Sequence, residues 1–202
     1  MTWLITGASG QLGLAVQSEL SSRKIEFVAL SSKYLDITDE KSVENIVSAA
    51  SPQVLINCAA WTDVDGAESQ ELRALSVNSD GPENLAIAAK LCNSKLIHVS
   101  TDYVFSGENQ TPWQTGGEIN PQSAYGRTKA HGESRVLATY PQSSFVVRTA
   151  WLYSPWGKNF AKTMTIRAMR EEPVRVVNDQ LGQPTSAHDV AQLIFEISQL
   201  EK

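Results

Sequence analysis

The sequence holds only two cysteines and three histidines, and no apolar run long enough to cross a bilayer. Cys58 and Cys92 form no metal-ligand spacing and read as buried, reduced thiols, which fits a cytoplasmic protein. His98, His131 and His188 are spaced to match no metal motif, so no metal site is expected. Basic charge is not in excess either. Lys and Arg number 17 against 22 Asp and Glu, and the resulting −5 has the wrong sign for a nucleic-acid surface. The start, Met1-Thr2-Trp3-Leu4-Ile5, has no basic stretch and runs straight into a strand pattern, so no signal peptide is expected. What remains is an ordinary globular composition, 42% apolar and 19% charged. Its 202 residues suffice for one domain with a real core, or one domain with a small appendage.

Strand and helix patterns alternate, the signature of a parallel sheet covered on both faces. Strands are expected at residues 2–6, 25–30, 34–36, 54–58, 96–100 and 145–148, several of them near-continuous apolar runs. Between them, Leu12, Ala15, Val16 and Leu20 share one helical face, as do Val43, Ile46, Val47 and Ala50 behind an Asp39 cap. Leu85, Ala88, Ala89 and Cys92 mark a third helix, and a fourth should run from about residue 124 to 138. Composition changes after Thr149, where Trp151, Tyr153, Pro155 and Trp156 crowd a loop. A helix over 159–170, a strand over 174–177 and a closing helix over 188–200 follow. The expected fold is α/β: a Rossmann-like, doubly wound dinucleotide-binding domain over 1–150. Residues 151–202 would form a partial, truncated substrate-binding lobe and the closing helix.

Gly7-Ala8-Ser9-Gly10-Gln11-Leu12-Gly13 sits between the first strand and the first helix. In that setting one glycine permits the tight turn, one lets backbone approach a pyrophosphate, and one lets helix and strand pack closely. The helix N-terminus then offers free N–H groups to phosphate. A nicotinamide dinucleotide is the expected ligand. An acidic residue closing the second strand would favour NADH, but that strand ends Leu30-Ser31-Ser32-Lys33, which admits NADPH. Lys33 reads equally as a solvated loop lysine. Asn57-Cys58-Ala59-Ala60 closes the fourth expected strand with small residues, leaving room for a cofactor across the strand ends.

Tyr125 and Lys129 stand at i and i+4 of one helix, so an ammonium lies one turn from a phenol. That spacing is expected to stabilise a phenolate and bring the tyrosine toward working range as a proton donor. Val99-Ser100-Thr101-Asp102 ends the fifth expected strand with hydroxyls, at the edge where open α/β sheets bind ligands. Thr101 is read as holding a substrate carbonyl, and Ser100 as closing a turn.

Six segments carry a family resemblance: 59–65, Ser100 to Gly107, Ala124 to Lys129, Arg148 to Tyr153, Asn159 to Met164, and Asp179-Gln180-Leu181-Gly182-Gln183-Pro184-Thr185. In order, and with the glycine turn, they resemble the dTDP-4-dehydrorhamnose reductases of the extended short-chain dehydrogenase/reductase superfamily. The resemblance implies NADPH- or NADH-dependent reduction of a dTDP-linked 4-keto sugar, dTDP-4-dehydro-6-deoxy-L-mannose, to dTDP-L-rhamnose, in the making of cell-surface polysaccharide precursors. It implies Thr101, Tyr125 and Lys129 as the catalytic trio. Gly7, Gly10, Gln11, Leu12, Gly13, Asp36, Ile37, Ala59, Ala60 and Thr62, with Tyr125 and Lys129, would hold the cofactor. Thr101, Asp102 and Trp151 would meet the substrate. The family continues beyond the point that matches Lys202, so a fragment or an abbreviated lobe is expected. A homodimer is admitted; some members pair through magnesium and a first-helix glutamate, but here Gly13 to Gln17 carries no carboxylate, and no metal is expected. Neither nucleic acid nor a membrane is an expected partner.

Two other readings share the pattern. An epimerase or dehydratase would retain its cofactor, but dehydration is disfavoured because Tyr103 follows Asp102 where a glutamate is expected. A non-catalytic regulatory subunit, like the beta subunit of methionine adenosyltransferase, would also resemble this family. Asn78 resembles a superfamily asparagine of structural or relay role. Trp113, Trp156, Arg148, Lys158 and Lys162 read more simply as packing and surface charge.

Overall fold

A computed structural model describes residues 2–109 and 111–200. The outer ends of the two expected regions, residue 1 and residues 201–202, lie outside the described residues. The order begins β1 (Trp3–Thr6), α1 (Gln11–Ser22), β2 (Phe27–Leu30), α2 (Glu40–Ala50) and β3 (Val54–Asn57). Two short helices follow, α3 (Val64–Ser69) and α4 (Glu71–Leu75), then a widened turn over Ser76–Asp80 and α5 (Gly81–Leu91). The chain continues with β4 (Lys95–Thr101), α6 (Ala124–Thr139), β5 (Ser144–Thr149), β6 (Leu152–Tyr153), α7 (Phe160–Met169), β7 (Thr185–Ser186) and α8 (Ala187–Gln199).

Five parallel strands form one sheet in the order β2-β1-β3-β4-β5. Strand parity divides the core. Trp3, Ile5, Val54, Ile56 and Ile97 face one side, against Leu12, Val16 and Leu20 of α1 and Val190, Ala191 and Ile194 of α8. Leu4, Leu55 and Leu96 face the other, against Val43 and Val47 of α2, Leu85 and Ala89 of α5, and Val136 of α6. Each strand is apolar on both faces because helices cover both, which is why the runs are continuous rather than alternating. Side-chain caps start the helices where expected: Asp39 accepts from the Ser42 amide, Ser123 from Gly126 and Asn159 from Lys162.

Two expected strands are not strands. Residues 34–36 form a turn, because the Ser31 carbonyl takes the amides of Tyr34 and Leu35 and the Asp36 carboxylate takes the amide and hydroxyl of Thr38. Val54–Asn57 is therefore the third strand. Residues 174–177 have no strand partner, and Val174, Val176 and Val177 are exposed, so their β-propensity has no sheet to join. The two-residue pair β6–β7 and the helices α3 and α4 lacked a long enough period to read. Cys58 and Cys92 are unpaired and half-buried.

Candidate active site

The sheet reverses its winding between β1 and β3, and a cleft of about 840 Å³ opens at the carboxyl ends of the strands there. A second cleft of about 850 Å³ lies at the opposite ends of the strands, between Trp3, Lys95 and Phe195. The functional side chains gather at the first. Its floor is the glycine turn. Gly7 has φ +66°, and a Cβ there would sit 2.5 Å from the Ala59 nitrogen, so only glycine lets the turn lie on the end of β3. Gly10 precedes α1 without a side-chain cap, which leaves first-turn amides open to an anion. Gly7, Gly10, Gln11 and Leu12 line the cleft, whereas Gly13 lies behind it, where a Cβ would strike the Gly7 oxygen and Ala8. Asp36 and Ile37 line one end, and Ala59, Ala60 and Thr62 the side along β3. Ser32 also lines it, while Lys33 lies over the ring of Tyr34 at 5.6 Å.

Thr101, Tyr125 and Lys129 meet on the opposite wall. Several contacts fix the start of α6 there. The Ala124 amide donates to Glu68 Oε1 at 2.7 Å, and Arg127 grips Glu71 through Nε at 2.8 Å and Nη2 at 2.9 Å. Gly126 packs directly on the Tyr103 carbonyl, where any side chain would clash. Those ties hold Tyr125 beside Thr101. The Tyr103 ring meets Tyr125 edge-on, centroids 5.5 Å apart.

The electrostatics differ from the sequence expectation. Burial pushes the Tyr125 phenol up to about 12, a hydrogen bond with Thr101 opposes that, and Asp102 adds to it. The Lys129 amine does not face the phenol to lower it. It donates to the Val99 carbonyl at 2.7 Å, and burial takes it down to about 8, opposed by Glu133 and Cys58. Tyr125 is thus held protonated, as a proton donor must be, rather than poised as a phenolate. Burial raises the Asp102 carboxyl as well, opposed first by its bond from Thr101.

The two hydroxyls that end β4 differ in their partners. Thr101 makes the turn-closing bonds, accepting from the Tyr103 amide at 3.2 Å and donating to Asp102 Oδ1 at 3.1 Å. Ser100 Oγ is buried with no partner, as is Thr149 Oγ1 on the neighbouring strand β5. Both residues line the cleft. Orphaned buried hydroxyls at a cleft wall fit a polar ligand that completes them. Nothing local marks Thr149 for this place; only the pairing of β4 with β5 reveals it.

Trp151 stands on the far rim, half-exposed, with φ +44°. Its ring lies against Gly182, and its carbonyl accepts from the Thr185 amide at 3.2 Å. Gln11 ties this rim to the glycine turn, its Oε1 accepting from Ser154 Oγ at 3.1 Å and Asn159 Nδ2 at 3.0 Å.

The residues set aside by sequence have definite places. Asn78 clamps the backbone of Trp61, accepting its amide at 2.8 Å and donating to its carbonyl at 3.1 Å. Arg148 is held by Glu133, with Nη2 to Oε2 at 2.6 Å, and lies over Phe105, whose ring stacks on Trp113. Lys158 lines the cleft, whereas Lys162 donates to the Pro155 carbonyl. His98, whose sequence spacing matches no metal motif, lies against Lys129, with Nε2 3.5 Å from Nζ.

The family model described as RmlD substrate binding domain matches residues 1–202. A dTDP-4-dehydrorhamnose reductase of Streptomyces griseus is 44% identical over 189 residues, 94% of this chain and 62% of that protein. A dTDP-4-keto-6-deoxy-D-glucose reductase of Streptomyces niveus is 43% identical, over 96% of this chain and 68% of that protein. The chain thus spans about six to seven tenths of these relatives' lengths. The solved dTDP-4-dehydrorhamnose reductase of Bacillus anthracis in complex with NADP superposes with a TM-score of 0.95 at 37% identity, covering 98% of this chain and 71% of that one.

Proposed function

The chain belongs to the RmlD substrate binding domain family, and from that premise we propose that it reduces a dTDP-linked 4-keto-6-deoxy sugar with NADPH or NADH. The substrate is dTDP-4-dehydro-6-deoxy-L-mannose and the product dTDP-L-rhamnose. The observation that carries this reading is one cleft lined at once by the glycine turn and by Thr101, Tyr125 and Lys129. The named relatives above, reductases of dTDP-linked keto sugars, support the substrate class.

The fit of the dinucleotide rests on three features. The Gly7 turn admits backbone contact, the uncapped start of α1 suits a diphosphate, and the orphaned Ser100 and Thr149 hydroxyls await a polar partner. Bound there, the nicotinamide supplies the hydride that reaches C4 of the sugar. Tyr125, kept protonated by burial, gives its proton to the carbonyl oxygen. Thr101 orients that oxygen, and Asp102 holds Thr101. Lys129 meets the nicotinamide ribose, and Trp151 closes the sugar side. Ser32 and the absence of a carboxylate at the end of β2 favour room for a 2′-phosphate. Residues 1–150 with α8 make the dinucleotide-binding body, and the stretch from 151 to β7 begins the substrate lobe. With two unpaired thiols the chain suits a reducing, cytoplasmic setting.

The test is loss of reduced-cofactor absorbance when dTDP-4-keto-6-deoxy sugar is added. Oxidation of NADPH or NADH with rhamnosyl product supports the reading. Binding of both cofactors with no oxidation by any keto-sugar nucleotide overturns it.

A further inference from the structure

His98 is fully buried, titratable and unused by the reaction proposed above. It sits in a string of side chains running beneath the cleft from β1 to α6. Thr6 Oγ1 donates to Asn57 Oδ1 at 2.7 Å, and the Ala59 amide donates to the same oxygen at 3.0 Å. A backbone N–H can only donate, so the Asn57 oxygen is fixed on that side and its Nδ2 faces His98 Nδ1, 3.0 Å away. Nδ1 must then accept. The buried ring is neutral, its proton affinity lowered well below the usual range by burial and by Lys129, so its one proton is on Nε2. Nε2 lies 3.5 Å from Lys129 Nζ.

That arrangement sets a donor against a donor whenever Lys129 is an ammonium. It is matched when the amine is neutral: Lys129 donates to Val99 and its lone pair accepts from His98. We propose that His98, with its tautomer fixed by Asn57, is a positioning residue that holds the Lys129 amine on the Val99 carbonyl and favours its neutral, proton-accepting form in the cofactor-free site. The relevance to turnover rests on the reductase reading, whereas the hydrogen-bond string does not. The titratable groups that bear on the amine are Cys58 after β3, His98 in β4 and Glu133 on α6, with Arg148 of β5 neutralising Glu133. Glu133 and Cys58 favour the ammonium, and burial and His98 oppose it.

The experiment is a ¹⁵N spectrum of the whole protein with labelled histidine; of its three histidines, His98 is assigned by its loss in H98Q. The expected ring is an Nε2–H tautomer that stays neutral well below the ordinary histidine range. Its shift should inflect near pH 8, reporting the neighbouring amine, and that inflection should vanish in K129M. Asn57→Asp keeps the size and both acceptor bonds but replaces the Nδ2 donor with an oxygen that accepts a hydrogen bond from Nδ1–H, which turns the Nε2 lone pair toward the amine. The inflection should then move up by about one pH unit or more. An Nδ1–H tautomer or a ring titrating near its ordinary value in the wild-type protein overturns the proposal without any variant. So does an inflection that N57D leaves in place. The pH profile of kcat/KM distinguishes the two readings. An inactive protein with the expected spectrum sinks the reductase reading alone, and an active one with the wrong tautomer sinks the His98 role alone.

Discussion

The two walls of the cleft are built on different principles. The inner wall, from β3, β4 and α6, is backed by side chains that are almost wholly buried: Asn57, Asn78 and Thr128 behind it, and Lys129 in it, each contact a partner on another element or strand. The outer wall, from Ala150 to Pro184, has α7 with no buried residue and a following stretch whose apolar side chains, Val177 and Leu181 among them, lie open. It is tied in by the Gln11 amide, the two-residue pair β6–β7 and the contact of Trp151 with Gly182. The inner wall belongs to a core whose helices cover both faces of a sheet. The outer wall has polar ties and backbone pairing but little burial behind it. Under the proposed function, chemistry that needs fixed geometry would fall to the first, and the second would shape what enters.

Breaking the contrast should give effects in the following order. Tyr125→Phe removes the proton donor while leaving a well-packed ring, so kcat for keto-sugar reduction should fall ~10²–10⁴-fold; cofactor titration should show NADPH affinity nearly unchanged. Ile97→Ala, in the core beneath the inner wall, should cost ~2–5 kcal/mol in urea unfolding. Lys129→Met carries a pH signature. In the folded chain the amine titrates near 8, in the unfolded chain near 10.5. Below pH 8 the folded state bears the full burden of a buried ammonium. Between 8 and 10.5 the unfolded chain still binds the proton that the folded one has shed, so wild-type stability rises with pH across that window relative to K129M. Thermal melts of both proteins should show the variant's advantage greatest at pH 7 and shrinking by pH 10.5, and a gap that widens would refute this. Gln11→Ala should cost only ~0.5–1.5 kcal/mol overall, yet speed proteolytic cutting between Ser154 and Pro184. Met169→Ala, exposed on α7, should change stability by no more than ~0.5 kcal/mol; a larger loss would mean that the outer wall is packed against something.

The inner wall was the legible one. Continuous apolar strands, helical periods and the glycine spacing are local signals, and they carry the sheet, six of the helices and the glycine turn, Thr101, Tyr125 and Lys129 at the cleft. Other features depended on partners distant in sequence. Val174-Arg175-Val176-Val177 has strand propensity but no neighbouring edge, and Tyr34-Leu35-Asp36 was captured by a turn that the Ser31 carbonyl and the Asp36 carboxylate define. The difference between Ser100 and Thr101 turns on partners: Thr101 bonds Asp102 and the Tyr103 amide, and Ser100 Oγ has none. The direction of the Tyr125 shift is not legible in the sequence, because a spacing of four reports proximity along a helix but not where a long side chain points. Lys129 turns toward β4, and burial then governs both groups. His98 offered no local signal, since its meaning comes from Asn57 and Lys129 on either side.

The packing of α8 against α1 has a consequence for how the molecule comes into being. One face of the sheet is closed by the first helix and the last, and Lys95, at the start of β4, donates to the carbonyls of Ser198 and Leu200 at the far end of α8. These contacts join parts of the chain separated by most of its length, the arrangement that slows folding. During synthesis α1 can cover its share of that face early, but the part that α8 covers stays open until residues 187–199 have left the ribosome. Until then the emerging chain would present apolar sheet surface, and it is at that stage, rather than in the finished fold, that chaperones and crowding would bear on its yield.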